Sequence, residues 1–477
     1  MLEAIPSNSL SVNDVHSALN LTAVHRIVEI SSLPQLAATL AEARNNGKKI
    51  AISAARHAMG GQQFAEDAVL LDMRGMNKVL AFDREQGIVT VEAGIQWPAL
   101  IDYLEVAQKD SQQQWSIRQK QTGADDLSIG GCLSANVHGR GLQMRPFIGD
   151  VESFSLLDAQ GNLQHCSRDS NSHLFRLVIG GYGMFGVITK VSLRLSARQK
   201  MRRDVSIISL DDLMPAFEER MDAGYVYGDF QFAIDPASPD FLQRGVFSCY
   251  CPVADSSSIR EEHALSDEQW QQLLTLAHVD KSRAFDCYAQ HYMASSGQIY
   301  WCDRLQQTTY LDGYHDKIDA LLGHHGSEMI GELYVPRAEL PAFMRDAAQD
   351  FRQHGVDLIY GTVRLIEADT ESFLPWARQD YACVIFNLHT EHTESGVTAT
   401  ASAFRRLIDL AIKRNGSFYL TYGRFATAEQ IRHCYPNFVN FLAYKRRLDP
   451  ELLFQSTWFQ HHAAMFARFV TSLEQAA

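Results

Sequence analysis

The amino-acid sequence predicts an α+β protein with more than one domain. Its 477 residues exceed the length at which a single hydrophobic core keeps growing. Hydrophobic residues make up 46% of the chain and charged residues 21%, which is the balance of an ordinary globular protein. Segments with the period of a strand alternate with segments with the period of a helix. We therefore expect helices and sheets to be mixed along the chain.

The first predicted elements lead into a glycine-rich turn. A helix begins after Ser32, with Pro34 in its first turn, and ends near Gly47. Short strands are expected at residues 50–52, 69–72 and 88–92, and a second helix at residues 97–106. The order is therefore helix, strand, turn, strand, strand, helix.

The turn at residues 54–62 has the composition of a phosphate cradle. Gly60 and Gly61 lack a Cβ atom, so the backbone there can adopt positive φ and bring its N–H groups close to an anion. His57 lies in the same turn and could act as a nucleophile or as a hydrogen-bond partner toward the ligand. The turn therefore predicts a site for a phosphate-bearing molecule.

A second glycine-rich segment covers residues 122–131 and continues into a run of mostly small residues at 132–141. His138 stands in that run, next to Gly139. Small side chains over so many positions indicate that another backbone or a flat ligand lies close by. A planar cofactor would satisfy this requirement.

The letters of residues 181–186 match a dinucleotide fingerprint, but their context does not. Such a fingerprint requires a helix that begins at the glycines. Residues 187–195 instead alternate apolar and polar side chains with period two, which predicts a strand. We expect a tight, close-packed entry into that strand. A hairpin is expected just before it, around a turn at residues 158–162.

The middle of the chain predicts a separate antiparallel sheet with helices on one face. Strands are expected at residues 229–234, 245–250, 331–335, 358–367 and 383–389, and helices at residues 209–221 and 337–354. Residues 255–280 are polar and have little periodicity, so we expect a helical insertion or a loop there. In the C-terminal part, Thr427 and Gln430 form a capping box that opens a helix.

Composition excludes several classes of function. A net charge of −13 argues against a nucleic-acid partner, because binding to phosphates depends on Lys and Arg. No window is apolar enough to form a transmembrane segment, and residues 1–20 do not resemble a secretory signal, so a cytoplasmic location is expected. The eight cysteines are dispersed without zinc spacing, so we expect reduced, mostly buried thiols and no metal.

These segments, in this order, resemble flavoproteins of the vanillyl-alcohol oxidase type. The resemblance covers about residues 20–196 and a C-terminal patch. Within that superfamily the chain is most similar to the branch of alditol oxidase, the aldonolactone oxidases and decaprenylphosphoryl-ribose oxidase. The resemblance implies a two-subdomain PCMH-type FAD-binding domain at residues 20–200, a substrate (cap) domain at 201–418 and a return to the FAD-binding domain at 419–477.

The resemblance also implies which residues contact FAD. They are Ala55, Arg56, His57, Ala58, Met59, Gly60, Gly61, Gln62, Gly123, Ser128, Ile129, Gly130, Gly131, Ala135, Asn136, Val137, His138, Val187, Ile188 and Tyr419. His57 falls where many relatives bond the flavin covalently, although those relatives usually have Gly-His-Ser and this chain has Arg56-His57-Ala58. Three roles of His57 are open: a covalent link, a contact without a bond, and a structural turn residue.

Three residues are candidates for catalysis. Arg364 matches an arginine of the alditol and aldonolactone oxidases, but the glutamate two residues before it in those proteins is Thr362 here. Tyr422 falls where decaprenylphosphoryl-ribose oxidase has a catalytic lysine, and it would be a general base if its pKa were lowered. Glu332 matches a glutamate of relatives. The alternatives are a structural ion pair for Arg364, simple packing for Tyr422 and a solvated strand face for Glu332.

The predicted function is FAD-dependent oxidation of a CH–OH group by hydride transfer to flavin N5. The substrate is a sugar, polyol, lactone or similar alcohol, and the electron acceptor is O₂ or another molecule. Two alternatives stay open: a flavin-dependent reductase or epimerase component, and a non-redox binding protein that has kept the fold.

Overall fold

A computed structural model describes residues 10–260, 263–308, 311 and 313–476. The prediction about the N-terminus concerns residues 1–20, of which the first nine lie outside the described residues. In the described part of the chain, no helix is long and apolar enough to cross a membrane. All eight cysteines are free thiols, and six of them are buried.

The helices follow in chain order. They are α1 Leu33–Asn45, α2 Trp97–Ala107, α3 Ile129–Ala135, α4 Ser172–Val178, α5 Leu210–Asp222, α6 Asp267–Val279, α7 Lys281–Ala294, α8 His315–Leu322, α9 Leu340–His354, α10 Glu394–Ile412, α11 Ala428–Cys434, α12 Phe438–Leu448, α13 Thr457–Met465 and α14 Ala467–Ala476.

The strands are mostly short in the first half of the chain and longer in the second. They are β1 Leu10–Val12, β2 Thr22–Val24, β3 Arg26–Glu29, β4 Ile50–Ser53, β5 Val69–Asp72, β6 Val79–Asp83, β7 Ile88–Glu92, β8 Trp115–Ser116, β9 Val151–Leu157, β10 Leu163–Ser167, β11 Val187–Arg194, β12 Ser196–Ala197, β13 Lys200–Ser209, β14 Tyr227–Phe232, β15 Arg244–Pro252, β16 Ile299–Trp301, β17 Gly326–Pro336, β18 Leu358–Ile366, β19 Tyr381–Glu391 and β20 Ser417–Phe418.

Two sheets organise the first 200 residues. One is parallel, in the order β3-β5-β4, and the other is antiparallel, in the order β10-β9-β11-β7-β6. The Ser32 side chain caps α1 as expected, and Leu36 and Leu40 of that helix pack on the parallel sheet. Two short β-strand pairs, β1-β2 and β8-β12, lie beside these sheets.

The strand predicted after the glycines of residues 181–186 is confirmed as β11, the central strand of the antiparallel sheet. Gly186 has a φ of +151°, and a Cβ atom there would lie 2.5 Å from the carbonyl oxygen of Leu157 on the neighbouring strand. The glycine therefore allows a close approach of two strands, and no helix opens at this motif.

An antiparallel sheet of eight strands dominates the remainder, in the order β16-β13-β15-β14-β18-β19-β17-β20. The antiparallel sheet expected in the middle of the chain is therefore present. It also contains β13, β16 and β20, which the sequence did not predict. The C-terminal segment returns to the first sheets, because the backbone N–H of Ile50 donates to Leu453 (2.8 Å) and that of Gln455 donates to Ile50 (2.8 Å).

The prediction of helices on one face of this sheet is wrong for the described residues. Phe247 packs edge-on against Phe217 of α5, whereas its neighbour Val246 packs against Ala289 of α7. Successive strand residues point to opposite faces, so α5 and α7 lie on opposite sides. The sheet needs both covers because its two faces are buried. The segment at residues 255–280, for which a helical insertion or a loop was expected, contains α6.

Candidate functional site

A cavity, partly open to solvent, lies among the turn after β4, the segment around α3 and residues 419–422. Segments far apart in the sequence line it, including both glycine-rich segments. Backbone and small side chains make up much of this lining, which suits a ligand with phosphates and a planar ring. The lining therefore fits a dinucleotide.

Most of the residues that the resemblance assigned to the cofactor line this cavity. They are Ala55, Arg56, His57, Ala58, Gln62, Gly123, Ser128, Gly130, Gly131, Ala135, Val137, Ile188 and Tyr419. Among the residues predicted to be catalytic, Tyr422 lines it as well.

The turn at residues 54–62 leaves polar groups for a ligand. In the described part of the chain, the backbone N–H groups of Ala55, Arg56, Ala58 and Met59 donate no hydrogen bond to the protein. Arg56 has a φ of +64°, an unusual conformation for a residue with a side chain. Free N–H groups in a strained turn are what an anion cradle requires.

Gly60 and Gly61 make room for the C-terminal segment of the chain. A Cβ atom on Gly60 would lie 2.5 Å from the carbonyl oxygen of Tyr422, and one on Gly61 would overlap the Thr457 hydroxyl. Their missing side chains therefore admit the returning C-terminal segment. Neither glycine lines the cavity, so their contribution to a ligand site is indirect.

Five other predicted cofactor residues do not line the cavity. Met59, Ile129 and Val187 are buried apolar residues of the hydrophobic core. The Asn136 side chain donates to Asp369 (2.9 Å) and accepts from the backbone N–H of Ile148 (2.9 Å), and its left-handed φ of 50° ends α3. His138 faces Glu332 instead, as described below. The sequence could place these residues near the site but could not distinguish lining residues from the layer behind them.

Besides His57, which contacts Asp126, three side chains at the cavity have buried polar atoms that find no hydrogen-bond partner among the described residues. They are Arg56 at Nε, Gln121 at Oε1 and Thr122 at Oγ1. A buried polar atom without a partner costs roughly 1–3 kcal/mol, so these atoms fit a polar ligand that would bond them. This observation, together with the free N–H groups of the turn, shows that the lining suits a phosphate-bearing cofactor.

Glu332 on β17 is the centre of a fully buried hydrogen-bond network. Its Oε1 accepts from the Tyr422 hydroxyl (2.7 Å), and its Oε2 accepts from the Tyr334 hydroxyl (2.7 Å). His138 Nε2 is 2.9 Å from the same Oε2. Burial raises the pKa of a carboxyl, but His138 and the two hydroxyls outweigh it, so the pKa of Glu332 lies below its ordinary value. Glu332 is therefore a carboxylate.

Tyr422 connects that network to the cavity. Burial and the Glu332 carboxylate raise the pKa of Tyr422 well above its ordinary value. This contradicts the possibility, derived from the sequence, that a lowered pKa makes Tyr422 an ionised base. Because its proton is held by Glu332, the phenol presents its oxygen lone pairs to a ligand.

Arg364 on β18 is buried, and its Nε and Nη1 have no hydrogen-bond partner among the described residues. It does not line the cavity, but its charge is near enough to lower the pKa of Tyr422 slightly against the larger effect of burial. It stands opposite Cys383 on the neighbouring strand. A buried guanidinium with free donors is costly unless an acceptor binds it.

Arg364 belongs to a larger set of unsatisfied groups that we call the polar face. By strand register its members share one side of the eight-stranded sheet, the side that carries Glu332. In the described part of the chain, the atoms of this face without a hydrogen-bond partner are Gln231 Oε1, Ser248 Oγ, Thr362 Oγ1, Arg364 Nε and Nη1, and Asn387 Oδ1. The opposite side of the same strands is aromatic, with Phe230, Phe232 and Phe386.

His57 is held between two partners at the cavity. Its Nδ1 lies 2.9 Å from Nε2 of His16, and its Nε2 lies 2.7 Å from Oδ1 of Asp126. Burial, and then the neighbouring His57, lower the pKa of His16 to about 3. His16 is therefore a neutral imidazole at physiological pH. The hydrogen bond from His57 lowers the pKa of Asp126.

Sequence reasoning missed several residues of the site. His16, Gln121, Thr122 and Tyr182 line the cavity without having been assigned to it. Tyr182 lies inside the glycine motif at residues 181–186, Thr122 begins the second glycine-rich segment and Gln121 precedes it, so their closeness to these motifs could have identified them. His16 lies in a segment without a motif, and only the folded chain brings it to His57.

Residues 24–167 match the family described as an FAD binding domain. This match covers the turn at residues 54–62, the second glycine-rich segment and α3. It confirms FAD as the predicted cofactor. The cavity described above is the place at which these segments meet.

Named relatives extend the similarity. The chain is 23% identical over 441 residues to L-gulono-1,4-lactone dehydrogenase of Mycobacterium tuberculosis, with 90% of this chain and 93% of the relative covered. It is 30% identical over 192 residues to an uncharacterised oxidoreductase of a fasciation locus in Rhodococcoides fascians, which covers 36% of this chain and 39% of the relative. It is 28% identical over 165 residues to L-gulonolactone oxidase of Mus musculus, covering 34% and 36%.

Proposed function

For a chain that carries an FAD-binding domain and resembles lactone oxidoreductases, we propose oxidation of a CH–OH group of a sugar, polyol or sugar lactone. The polar face is the observation that carries this proposal. Four of its side chains and Arg364 have buried polar atoms without partners. A substrate with several hydroxyls would bond these atoms, whereas an apolar alcohol would leave them unpaired at a cost of roughly 1–3 kcal/mol each.

Tyr422 and Glu332 are the residues that would hold the reacting hydroxyl. The Tyr422 oxygen accepts a hydrogen bond from the substrate, because its own proton is donated to Glu332 at 2.7 Å. As the substrate hydroxyl loses its proton to Tyr422, the Tyr422 proton moves to Oε1 of Glu332. His138 and Tyr334 hold the other carboxylate oxygen, so Oε1 stays directed at Tyr422. The pair thus functions as one general base.

Arg364 would bind a substrate oxygen. Its free Nε and Nη1 are buried on the polar face, where a charge-assisted hydrogen bond is worth about 1.5–3 kcal/mol. In the alditol and aldonolactone oxidases that the chain resembles, a glutamate lies two residues before the corresponding arginine, and this chain has Thr362 at that position. Glu332 lies on a strand two places from that of Thr362, joined to it through Ile385. It supplies a carboxylate to the same face of the sheet.

The residues lining the cavity would hold FAD by backbone and small side chains. Bound FAD supplies the two-electron acceptor that receives hydride at N5. Ala55, Arg56 and Ala58 would bond its phosphates, while Gly130 and Gly131 would allow close approach of the planar ring.

We also propose that His57 bonds FAD covalently through Nδ1. Asp126 Oδ1, 2.7 Å from Nε2, and His16 Nε2, 2.9 Å from Nδ1, would hold the His57 ring with Nδ1 at the cavity. A new N–C bond would replace one N–H bond of His57 and one C–H bond of a cofactor methyl group; the protons would leave through the opening of the cavity to solvent, and bound FAD would supply the acceptor for the two electrons. Denaturation in acid tests this: the yellow colour stays with wild-type polypeptide and is released from H57A, while H25A, at an exposed histidine, behaves as wild type.

Three further expectations stay proposals. O₂ or another molecule is the electron acceptor, and oxygen uptake measured against dye reduction distinguishes them. The location is cytoplasmic, which fractionation of cells tests. The boundaries at 20–200, 201–418 and 419–477 are supported by the eight-stranded sheet, which begins at β13, and by the contact of Ile50 with Leu453. Limited proteolysis, with cleavage near residues 200 and 418, tests the boundaries.

Turnover with a substrate panel tests the main proposal. Sugar lactones, alditols, aldoses and aromatic alcohols are compared with a dye as acceptor, and the product is identified by mass. We expect turnover with one of the polyhydroxylated classes and loss of two hydrogens from it. Turnover with aromatic alcohols alone contradicts the proposed substrate class. A protein that reduces no acceptor and instead takes up electrons from a reduced nicotinamide favours the reductase alternative, which the named relatives do not support.

A further inference from the structure

A second cluster of buried polar residues lies on the side of the eight-stranded sheet that carries the polar face. It is separate from the catalytic network of Glu332, Tyr422, Tyr334 and His138. Its members come from four elements: His278 of α6, Glu328 of β17, His389 of β19 and His315 at the start of α8. The side chains of His278, Glu328 and His389 are each more than nine-tenths buried. These residues are far apart in the sequence and form no motif, so the sequence predicted no metal site.

Three atoms in this cluster converge at ion-pair distance. Oε1 of Glu328 lies 3.1 Å from Nε2 of His278 and 3.5 Å from Nδ1 of His389. Among the described residues none of the three atoms makes a hydrogen bond of acceptable geometry, and all are shielded from solvent. One common partner at the point where these three potential ligand atoms meet would satisfy all of them.

The spacing of these atoms fits a metal ion. Ligands at about 2.0–2.1 Å from a tetrahedral zinc lie roughly 3.3 Å from one another, which is close to both measured distances. All three atoms lie within 4.8 Å of one another. We propose that His278, Glu328 and His389 bind one divalent transition-metal ion, of which Zn²⁺ is the representative. Two imidazole nitrogens and one carboxylate oxygen suit this class of ion.

Neighbouring residues orient the proposed ligands. His389 Nε2 lies 2.9 Å from Nε2 of His324, so its other nitrogen, Nδ1, is the one left for the ion. The Tyr314 hydroxyl donates to Oε2 of Glu328, and His315 Nε2 lies 3.2 Å from the same oxygen. Oε2 is therefore occupied, and Oε1 is left for the ion.

The catalytic network offers a contrast. His138, Glu332 and Cys383 also bring three potential ligands together. There the carboxylate accepts hydrogen bonds from Tyr334 and Tyr422, and both ring nitrogens of His138 face oxygen acceptors. Its ligand atoms are already satisfied by the protein, so it needs no ion.

The proposed ion has a structural function. Glu328 precedes Glu332 by four residues on one strand, so the two carboxylates are separated by roughly 13 Å along β17. That distance excludes a direct contact with the reacting hydroxyl. The ligands instead connect α6, and through His315 the start of α8, to two strands of the sheet. The ion would hold this helical cover in place over the polar face.

Metal analysis of the untagged wild-type protein tests the proposal. After dialysis against a chelator and then titration with Zn²⁺ alone, we expect one ion per chain by elemental analysis and calorimetry. Added Zn²⁺ raises the melting temperature of the wild type, because the ion binds only the folded site. These measurements need no variant, so a folding failure in a variant does not decide them.

Variants then locate the ion. We expect H278Q, E328Q and H389Q each to weaken Zn²⁺ binding at least about 100-fold, and H324Q, which only orients His389, to weaken it about 10- to 100-fold. H325Q is the matched control, because His325 is a neighbouring, exposed histidine bound to Asp319. It keeps wild-type affinity. FAD content and circular dichroism report the folding of each variant.

Two results overturn the proposal. One is a wild-type protein that takes up less than stoichiometric Zn²⁺ with no change in melting temperature. The other is a crystal of the Zn²⁺-loaded protein whose anomalous peak lies away from Nε2 of His278 and Oε1 of Glu328. A peak within bonding distance of both atoms supports it.

Discussion

Replacing Glu332 by glutamine removes the proton acceptor while keeping the size of the side chain. In the wild type, Oε1 accepts from Tyr422 at 2.7 Å, and Oε2 is surrounded by His138 and Tyr334. In E332Q the amide oxygen is needed by His138 and Tyr334, so the amide N–H₂ group faces Tyr422 and donates to it. The Tyr422 hydroxyl must then direct its own proton into the cavity. Its oxygen can no longer take a proton from the substrate.

The size of the effect follows from this loss. A positioned general base contributes about 10²- to 10⁴-fold, so we expect kcat/KM of E332Q to fall by that factor, or about 2.7–5.5 kcal/mol. Y422F removes the other half of the pair and is expected to fall comparably. Because the two residues act as one unit, the double variant E332Q/Y422F should be no slower than the slower single variant.

The assay is the rate of flavin reduction by the best substrate, measured without oxygen in a single turnover. Y334F is the matched control, because Tyr334 bonds the same carboxylate at the same 2.7 Å but does not line the cavity. We expect it to lose far less than the factor of about 10² that a lost general base costs, because Tyr334 takes no part in the proton transfer and His138 still bonds Oε2. Equal losses in Y334F and Y422F, or additive losses in the double variant, would refute the proposed transfer from Tyr422 to Glu332.

Three other perturbations test separate parts of the structure. R364M should lower kcat/KM about 10- to 150-fold, because a charge-assisted hydrogen bond to the substrate is lost. The melting temperature of the substrate-free protein should stay unchanged or rise, because an unpaired buried charge is removed. A lower melting temperature would assign Arg364 a structural role. Burial raises the pKa of Asp150 to about 6 from 3.8, so the native state binds the proton more tightly than the unfolded state. The free energy of unfolding should therefore fall by about 3 kcal/mol as pH rises from 4 through 6. Chemical denaturation of D150N should lack this dependence on pH, and an identical dependence would contradict the raised pKa. G61A should lower the free energy of unfolding by about 1–3 kcal/mol, because the new Cβ overlaps the Thr457 hydroxyl at a φ of +75°, whereas G47A, with φ +63° but open space around it, should cost less; equal costs would deny the close contact.

Local signals predicted the elements with strong patterns. The Ser32 cap, the capping box of Thr427 and Gln430, and the period-two strand after residue 186 are all present, because each depends on neighbours in the sequence. The strand β13 was missed because charged residues interrupt its apolar pattern, and α10 was missed because alanine and threonine dominate its first half. In both, packing against the eight-stranded sheet decides the structure.

The candidate site could be predicted only in part. Its glycine-rich segments are visible in sequence because turn chemistry is local. The partnership of Glu332 with Tyr422 and His138 joins residues 90 and 194 positions apart, and no pattern reports such a contact. The same holds for His16 beside His57. The sequence shows that Thr362 replaces the expected glutamate. Only the strand pairing shows that Glu332, two strands away, supplies a carboxylate to the same face of the sheet.

Flavin reduction in a single anaerobic mixing experiment tests the account most directly. The purified, yellow wild-type protein is mixed with a sugar lactone, an alditol and an aromatic alcohol in turn, and the visible absorbance of the flavin is followed. We expect rapid bleaching by a polyhydroxylated substrate that satisfies the buried donors and acceptors of the polar face. Bleaching by the aromatic alcohol alone, or by none of the three while a reduced nicotinamide bleaches the flavin, would contradict the account.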